Sequence, residues 1–567
     1  MRPRQIHWPV HPWLRLQRYF PRILSQSFNR LFNDTVEVMA FDTELRSLFC
    51  ARRPHLLAIG EPYHGEPAFP HLRNRILETL VGYGFRSIAI ESDRAAGLAV
   101  NDYVQGRRDD VDVTTGISHG WGTHPATHEL IDWLRAHNEK LPPHERVTFH
   151  GFDAPTEITG APSPLPILCE LREYLSAPVD LDWLVGEDSR WTAPEIMFDA
   201  ARSPGRSQEA NALRGVAEDF RTQLYVDAPH LIRGSSVESW DRARVLATTA
   251  IGLLTYHAAM AEPNTQSQRI GHLLAVRDAL MAQNLIDIHA HERDRGPILV
   301  CAHNAHLQRH PSRWASRWDG QDLAAQWNGA GSIVSELLGK RYVYVAGSLG
   351  ASGPVGLGPP EPGTYEERLG PETGIFPPPT GDDLRERVAD LLGLFSLDPG
   401  TIETCDAILH IGFEPGAADA ARIAGLPGVT ETRIPPGSEL PPHTWGDRFF
   451  FTGEDRVRPF ATIVGHDVPG FDERSRLSRP GRYRLNIEVG RTEFRNLFGY
   501  GPEQFAVHSS GLDFAETDRL LPHPTYGVQG WASVVNPGPA TADEVTRLVA
   551  QARSRSAARA YRRKRRP

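Results

Sequence analysis

The stretch HLLAIGEPYHGE, at positions 55–66, decides the fold, because an apolar run of strand length is followed at once by ionisable residues. Four further runs have the same character: RSIAI (86–90), VTF (147–149), ILVCA (298–302) and RYVYVA (341–346). Short apolar runs that alternate with helical patterns are typical of buried parallel strands. The sequence therefore predicts an α/β fold with a parallel sheet flanked by helices.

The connections between these runs carry helical patterns. HLRNRILETLVGYG (71–84) has one apolar stripe, and Gly84 is its predicted stop. Two longer helices are predicted near 239–260 and 267–290. The stretch 155–238 mixes proline-rich turns with short helices, so we expect an insertion or a cap over the sheet.

Ionisable residues follow four of the five runs. They are Glu61, His64 and Glu66 after the first run, Glu91 after the second, His150 and Asp153 after the third, and His303 and His306 after the fourth. Ligands bind at the carboxyl ends of the strands in open α/β sheets. We therefore expect these groups to converge in one crevice.

His64 is the strongest candidate for a general base. It lies near Glu61, and we expect the strand before it to pair with the strand before Glu91, since the two are consecutive in the sequence. A carboxylate beside an imidazole makes the ring more basic, which suits proton abstraction near neutral pH.

Two other functions are compatible with the same residues. His303 and His306 can ligate a metal together with Glu91 or Glu61, and His124 with His128 has the spacing of a pair on one helix face. No HExxH or other complete metal signature occurs. Alternatively, two histidines on a related fold can hold haem iron, which makes a binding protein the second hypothesis.

The segment GISHG, at 116–120, satisfies G-x-S-x-G and suggests Ser118 as a nucleophile. A nucleophile elbow requires a helix that opens directly after the serine. Here Gly120 and Gly122 intervene, and the helix is predicted to begin only near Pro125. We therefore do not favour a serine mechanism.

Eight ordered motifs resemble the erythromycin esterase family. They are GEPYHG (60–65), Arg73, GFRSIAIESD (84–93), VNDYVQG (100–106), WLRAHN (133–138), HGFD (150–153), RDALMAQN (277–284) and CAHNAHLQR (301–309). The resemblance implies hydrolysis of a macrolide lactone ester without a metal and without a covalent enzyme intermediate. After about residue 347 the chain departs from the family pattern.

The resemblance also implies site residues. His64 matches the general base, and Glu61 and Glu91 match the acids that orient it or the water. Four further residues match polar groups that the family has around the same crevice: Arg73, Arg277, His303 and His306. Cationic or imidazolium donors there would stabilise the oxyanion that develops during ester hydrolysis.

Composition shifts predict the domain organisation. Residues 1–38 are an arginine-rich extension, which we expect to be poorly ordered, and 39–415 form the hydrolase domain, with a seam rich in glycine and proline at 348–381. Residues 416–567 contain β-type runs such as RFFFTG and YRLNIEVG before a final helix, which predicts a small α+β domain. This part resembles a bacterial family of unknown function.

Charge and cysteine usage narrow the function classes. A net charge of −9 gives no general affinity for nucleic acid or anionic membranes, and the basic end at 553–566 is expected to be a solvated, fraying helix. The four cysteines are far apart, which argues against a disulfide framework or a zinc ribbon and fits a cytoplasmic location. We therefore predict a hydrolase of a small-molecule carboxylic ester or lactone that uses no cofactor or metal.

Overall fold

The five predicted strands lie in one sheet of a computed structural model. The structure describes residues 35–156, 160–318, 321–352, 355–389, 391–412, 415–434, 444, 446–452, 456, 458–468, 470–478 and 481–564. Most of the predicted N-terminal extension, residues 1–34, lies outside the described residues.

The first sheet has seven strands in the order β3-β2-β4-β1-β7-β9-β8. The strands of this region are β1 (Leu56–Glu61), β2 (Ser87–Asp93), β3 (Thr148–Asp153), β4 (Ile298–His303), β5 (Ser312–Trp318), β6 (Gln321–Trp327), β7 (Tyr342–Leu349), β8 (Gly374–Phe376) and β9 (Ala407–Ile411). All pairs in the sheet are parallel except β8 with β9, and β5 and β6 form a separate antiparallel hairpin. The predicted fold class is confirmed, although β8 makes the sheet mixed.

The expected pairing of β1 with β2 is wrong. Strand β4 lies between them and pairs with both. Consecutive strands are neighbours only about two-thirds of the time, and β4 follows β2 by more than 200 residues, after β3 has already joined the sheet. Close packing after β4 needs a glycine on β1, because a Cβ on Gly60 would lie 2.1 Å from Oδ1 of Asn304.

Helices cover both faces of this sheet. They are α1 (Thr35–Arg52), α2 (Ala68–Val81), α3 (Arg94–Val104), α4 (Val113–Gly116), α5 (Pro125–Asn138), α6 (Leu165–Leu175), α7 (Leu181–Val185), α8 (Ser189–Thr192), α9 (Gln208–Val226), α10 (Ala228–Gly234), α11 (Val237–Met260), α12 (Gln266–Glu292), α13 (Asn304–Leu307), α14 (Ala330–Leu338), α15 (Tyr365–Leu369) and α16 (Pro399–Thr404). The predicted stop of α2 is confirmed: Gly84 has φ +95° and Phe85 N–H donates to the Leu80 carbonyl, as at a left-handed helix end.

The two faces of the sheet differ in their partners. One face packs Leu57, Ile59 and Ile90 with α2 and α5, while the other packs Ala58 and Val300 with α12 and α14. The segment that was predicted to be an insertion forms several short helices and the 19-residue helix α9, which build a separate cluster with α11. The candidate site lies at the carboxyl ends of the strands, next to the face that packs against α2 and α5.

A second, antiparallel sheet follows, in the order β10-β11-β12-β13-β15-β14. Its elements are α17 (Ala417–Ala424), β10 (Val429–Arg433), β11 (Arg448–Thr452), β12 (Ala461–Val464), β13 (Arg484–Glu488), α18 (Gly490–Phe498), α19 (Phe505–His508), β14 (Leu521–Pro522), β15 (Trp531–Val535) and α20 (Ala542–Lys564). Helix α20 packs Val545, Leu548 and Val549 onto one face. The predicted α+β character of this part is confirmed.

The basic end does not behave as a fraying helix throughout. Arg559 forms an ion pair with Glu488, and Arg555 donates to the Glu488 carbonyl oxygen, so the helix is held to β13. None of the helices in the described part of the chain is long and apolar enough to cross a membrane.

Candidate active site

The strand ends bring together most of the predicted groups. Strands β3, β2, β4 and β1 are neighbours in that order. Asp153, Glu91, His303 and Glu61 lie at or near their carboxyl ends. Because the strands are parallel, these side chains meet at one edge, and His64 follows on the turn after β1.

His64 lies between two carboxylates. Its Nδ1 is 2.6 Å from Oε1 of Glu61, and its Nε2 is 3.7 Å from Oε1 of Glu91. A carboxylate at Nδ1 places the proton of the neutral ring on that nitrogen and leaves the lone pair on Nε2. The indole of Trp121 packs against the ring with 4.6 Å between centroids, and 29% of the His64 side chain is exposed.

The carboxylates set the basicity of His64. Burial lowers the pKa of the imidazole, but the charge of Glu91 and the hydrogen bond to Glu61 outweigh it and raise the pKa to about 9. A stronger base results, at the cost of a smaller neutral fraction at neutral pH. The ring is uncharged in about one molecule in a hundred at two pH units below its pKa.

Glu91 is held in its ionised form. Burial raises the pKa of this carboxyl, but His306 and His64 outweigh it and hold the pKa well below its usual range. Oε1 accepts from Arg277 at 3.0 Å and lies 3.3 Å from Nε2 of His306, while Oε2 accepts from the His303 backbone N–H at 2.9 Å. These contacts fix the carboxylate beside His64.

Asp278, which the sequence reasoning did not select, holds His306 in place. Its oxygens lie 2.8 and 3.0 Å from Nδ1 of His306 and also accept from Trp327 Nε1 and Ala330 N. Burial lowers the pKa of His306, but Asp278 and Glu91 outweigh it and raise it to about 10. His306 is therefore an imidazolium. Asp278 directly follows Arg277 in the motif RDALMAQN, which was the available signal.

His303 has a different role. Its Nε2 lies 3.1 Å from the carbonyl oxygens of Pro62 and Gly393, and its Nδ1 accepts from Ala305 N. Burial and the nearby His64 lower the pKa of His303 to about 3, so the ring is neutral. Both nitrogens of His303 are engaged, as are those of His306, so this pair does not fit a haem iron.

Arg277 connects two carboxylates at the centre of the site. Its Nε donates to Asp153 at 3.0 Å and its Nη2 to both Glu91 and Asp153. His119, also missed from sequence, lies with Nε2 2.8 Å from Asp153 and has φ +60°. Glu91, His119 and Asp153 have the separation of metal ligands. The Arg277 guanidinium already occupies the position between the two carboxylates, so the set does not fit a cation.

Arg73 borders a cavity beside His64. Its Nε and Nη2 donate to Asn74, and Nη2 also approaches the Ala126 carbonyl. Among the residues that the structure describes, no group accepts a hydrogen bond from its Nη1. Arg73 lines the cavity together with Glu61, His64 and His124. Burial lowers the pKa of His124, so that ring is neutral.

Several residues that were expected to act at the site do not take the predicted arrangement. His150 is inside β3, not after it, and its Nε2 is 2.9 Å from Glu292. Glu66 accepts from Ala68 N at the start of α2. His124 precedes α5 and His128 is exposed on it, so they do not form a pair on one helix face. Ser118 lies on a turn and accepts from Asp93 N.

The chain resembles known proteins in two separate parts. Residues 82–391 match the model of the family described as Erythromycin esterase, and residues 418–565 match a family of unknown function, DUF6194. Erythromycin esterase type II of Escherichia coli is 21% identical over 263 residues, which are 45% of this chain and 61% of that protein. The chain thus matches about three-fifths of that relative's length, and the family match begins after His64.

Three solved structures are similar to this chain at low identity. A Bacillus cereus protein is 18% identical with a TM-score of 0.45, covering 65% of this chain and 91% of that one. A succinoglycan biosynthesis protein is 15% identical with a TM-score of 0.48, covering 67% and 97%. An erythromycin esterase mutant in its open conformation is 15% identical with a TM-score of 0.46, covering 63% and 90%.

Proposed function

Over residues 82–391 the chain belongs to the erythromycin esterase family, and on that premise we propose that it hydrolyses a carboxylic ester or lactone, with macrolide lactones among the candidate substrates. Family membership supports the broader assignment to the ester hydrolases. The finer proposal is that His64 activates a water molecule directly, without a metal and without a covalent enzyme intermediate.

The geometry of His64 is the observation that carries this proposal. Glu61 holds Nδ1 at 2.6 Å, which leaves the Nε2 lone pair as the base. Nε2 and Oε1 of Glu91 are 3.7 Å apart, a separation at which one water molecule can hydrogen-bond to both. Such a water would lose its proton to Nε2 as its oxygen attacks the ester carbonyl.

Arg73 is the best-placed donor for the oxyanion. The side-chain donors of Arg277 and His306 described above are already directed at carboxylates. Arg73 borders the cavity next to His64 and has a donor that no described group uses. A cation directed at the developing charge is usually among the largest contributions to catalysis of acyl transfer.

A serine mechanism has little support in the structure. Ser118 has no imidazole base among its described partners, and its hydroxyl contacts Ser92 and Asp93 N. Ser118→Ala should therefore retain most of the ester hydrolysis. The intact mass of enzyme quenched during turnover should show no acyl adduct, and an adduct on Ser118 would reject the direct mechanism.

The test of function is a panel of macrolides and simple carboxylic esters, followed by mass spectrometry for a gain of one water. We expect at least one substrate to be hydrolysed, and the rate to survive exhaustive chelation. A loss of activity that added zinc restores would show that a metal is required. If the protein hydrolyses no compound in a broad panel, the proposed function is wrong.

A further inference from the structure

The cavity beside His64 has an apolar floor that three strands build together. Ile59 of β1 and Ile90 of β2 both stand in register with Cys301 of β4, which lies between them. These are the last apolar residues on this face before the charged strand ends. The floor of the cavity is therefore fixed by the sheet itself.

The walls of the cavity are also mostly apolar. Phe69 of α2 and Leu409 of β9 close two sides, and Phe69 is only 4% exposed. Burial raises the pKa of the Cys301 thiol to about 12, so this side chain is a neutral wall group and not a nucleophile. His64 and Arg73 also line the cavity and are partly exposed, so they mark its mouth, whereas the lining carboxylate Glu91 is buried.

The size of this space limits what can enter it. The cavity measures about 50 Å³, so it has room for a short chain but not for a large group. Pockets that enclose drug-sized ligands measure about 300 to 1,000 Å³, so the carbon chain of a macrolide lactone does not fit here.

We propose that this cavity is an acyl pocket, and that the substrates are esters of short acids, with acyl groups of about two to four carbons. The acyl chain enters between Phe69 and Cys301, which places the ester carbonyl at the mouth between His64 and Arg73. The alcohol part remains outside and can be large. This inference rests on the proposed function and names the substrate class of the same site.

The experiment is an acyl-length series with one constant alcohol, from nitrophenyl acetate to nitrophenyl decanoate, with a macrolide lactone assayed beside it. We expect kcat/KM to be highest for acetate to butanoate. It should fall by about tenfold or more for each methylene group that no longer fits, since this is the usual discrimination of an apolar pocket.

Two variants change the pocket in opposite directions. Phe69→Ala should move the preferred chain to longer acids, and Cys301→Val should shorten it. Phe85→Ala is the matched control, because Phe85 belongs to the same core cluster, is fully buried and does not line the cavity. Circular dichroism and thermal unfolding show whether each variant folds. If Phe69→Ala does not fold, Cys301→Val still tests the pocket.

The possible outcomes test the acyl pocket and the ester hydrolase function separately. A native enzyme that prefers octanoate or a macrolide lactone would overturn the acyl pocket while leaving ester hydrolysis intact. Folded Phe69→Ala and Cys301→Val variants with the chain-length profile of Phe85→Ala would do the same. Failure to hydrolyse any ester or lactone would overturn both the pocket and the proposed function.

Discussion

Two buried arginines hold carboxylates in different surroundings, one on helix α12 beside the parallel sheet and one on strand β13 of the antiparallel sheet. Arg277, 8% exposed, donates to Glu91 and Asp153 at the open edge of the parallel sheet. Arg484, 1% exposed, donates to Asp472 and Asn486 on a face of the antiparallel sheet. The residue types are alike, so residue type alone does not distinguish the two clusters.

The difference is in what lies beside each arginine. Next to Arg277 the cluster includes His64, whose side chain is 29% exposed and borders a cavity. Next to Arg484 is His523, which is 2% exposed and accepts at Nδ1 from the backbone N–H groups of Thr525 and Tyr526. A polar cluster can perform chemistry only where a reactant can reach it. We therefore interpret the Arg484 cluster as structural.

The largest expected effect is the loss of catalysis in His64→Asn. Removing a general base lowers the rate by about 10² to 10⁴, and kcat/KM for the best ester measures it. His150→Asn is the matched control, since His150 contacts Glu292 at 2.9 Å but lies away from the cavity. Equal activity of the two variants would show that His64, which borders the cavity, is no more important for catalysis than His150, which does not.

Arg484→Met tests whether the Arg484 cluster is structural. Removing one partner of a buried ion pair leaves Asp472 uncompensated and costs about 3 to 5 kcal/mol of stability. Denaturant unfolding should show this loss, while ester hydrolysis by the folded protein is unchanged. Arg458→Met is the control, because Arg458 is 54% exposed and its buried partner Glu488 keeps a second ion pair with Arg559, so we expect a loss of only about 0 to 1 kcal/mol. Selective loss of hydrolysis in folded Arg484→Met would contradict a structural role.

The pH dependence of kcat/KM tests whether His64 is the general base. His64 must be neutral to accept a proton, and its pKa is raised to about 9. Below that pH, kcat/KM should rise by about tenfold per pH unit. Glu61→Gln removes one of the two negative charges, so the pKa of His64 falls and the rising limb moves toward neutral pH. An unchanged limb would show that a different group is titrating.

The smallest effect is expected from removal of the second sheet. We propose a division near residue 415, because β9 ends at Ile411 and α17 begins at Ala417. A chain that ends at residue 415 should remain folded and keep its kcat/KM within about twofold. A folded but inactive truncation would show that the second sheet contributes to the site.

Much of the site could be predicted from local sequence. Apolar runs of strand length fixed β1, β2 and β4 to within a few residues, because such runs are stable mainly as buried strands. The turn GEPYHG then placed Glu61 and His64 at one strand end, where their contact measures 2.6 Å. Gly84 ended α2 as predicted, since a positive φ is open to glycine at little cost.

Other parts of the site depend on distant segments. His150 was expected in the crevice, but β3 continues to Asp153, and alternation along a strand points His150 toward Glu292 on α12. His119 and Asp278 arrive from a turn and from a long helix, and neither carries a strand-end signal.

The sequence by itself determined that five strands of the first sheet form and that ionisable residues stand at the ends of most of them, because strand formation and turn chemistry depend on neighbouring residues. Only the tertiary structure decided that β4 lies between β1 and β2. That insertion brings the His303 N–H to Glu91 and completes the cavity floor with Cys301. Strand order depends on the packing of helices hundreds of residues apart, and no local pattern encodes it.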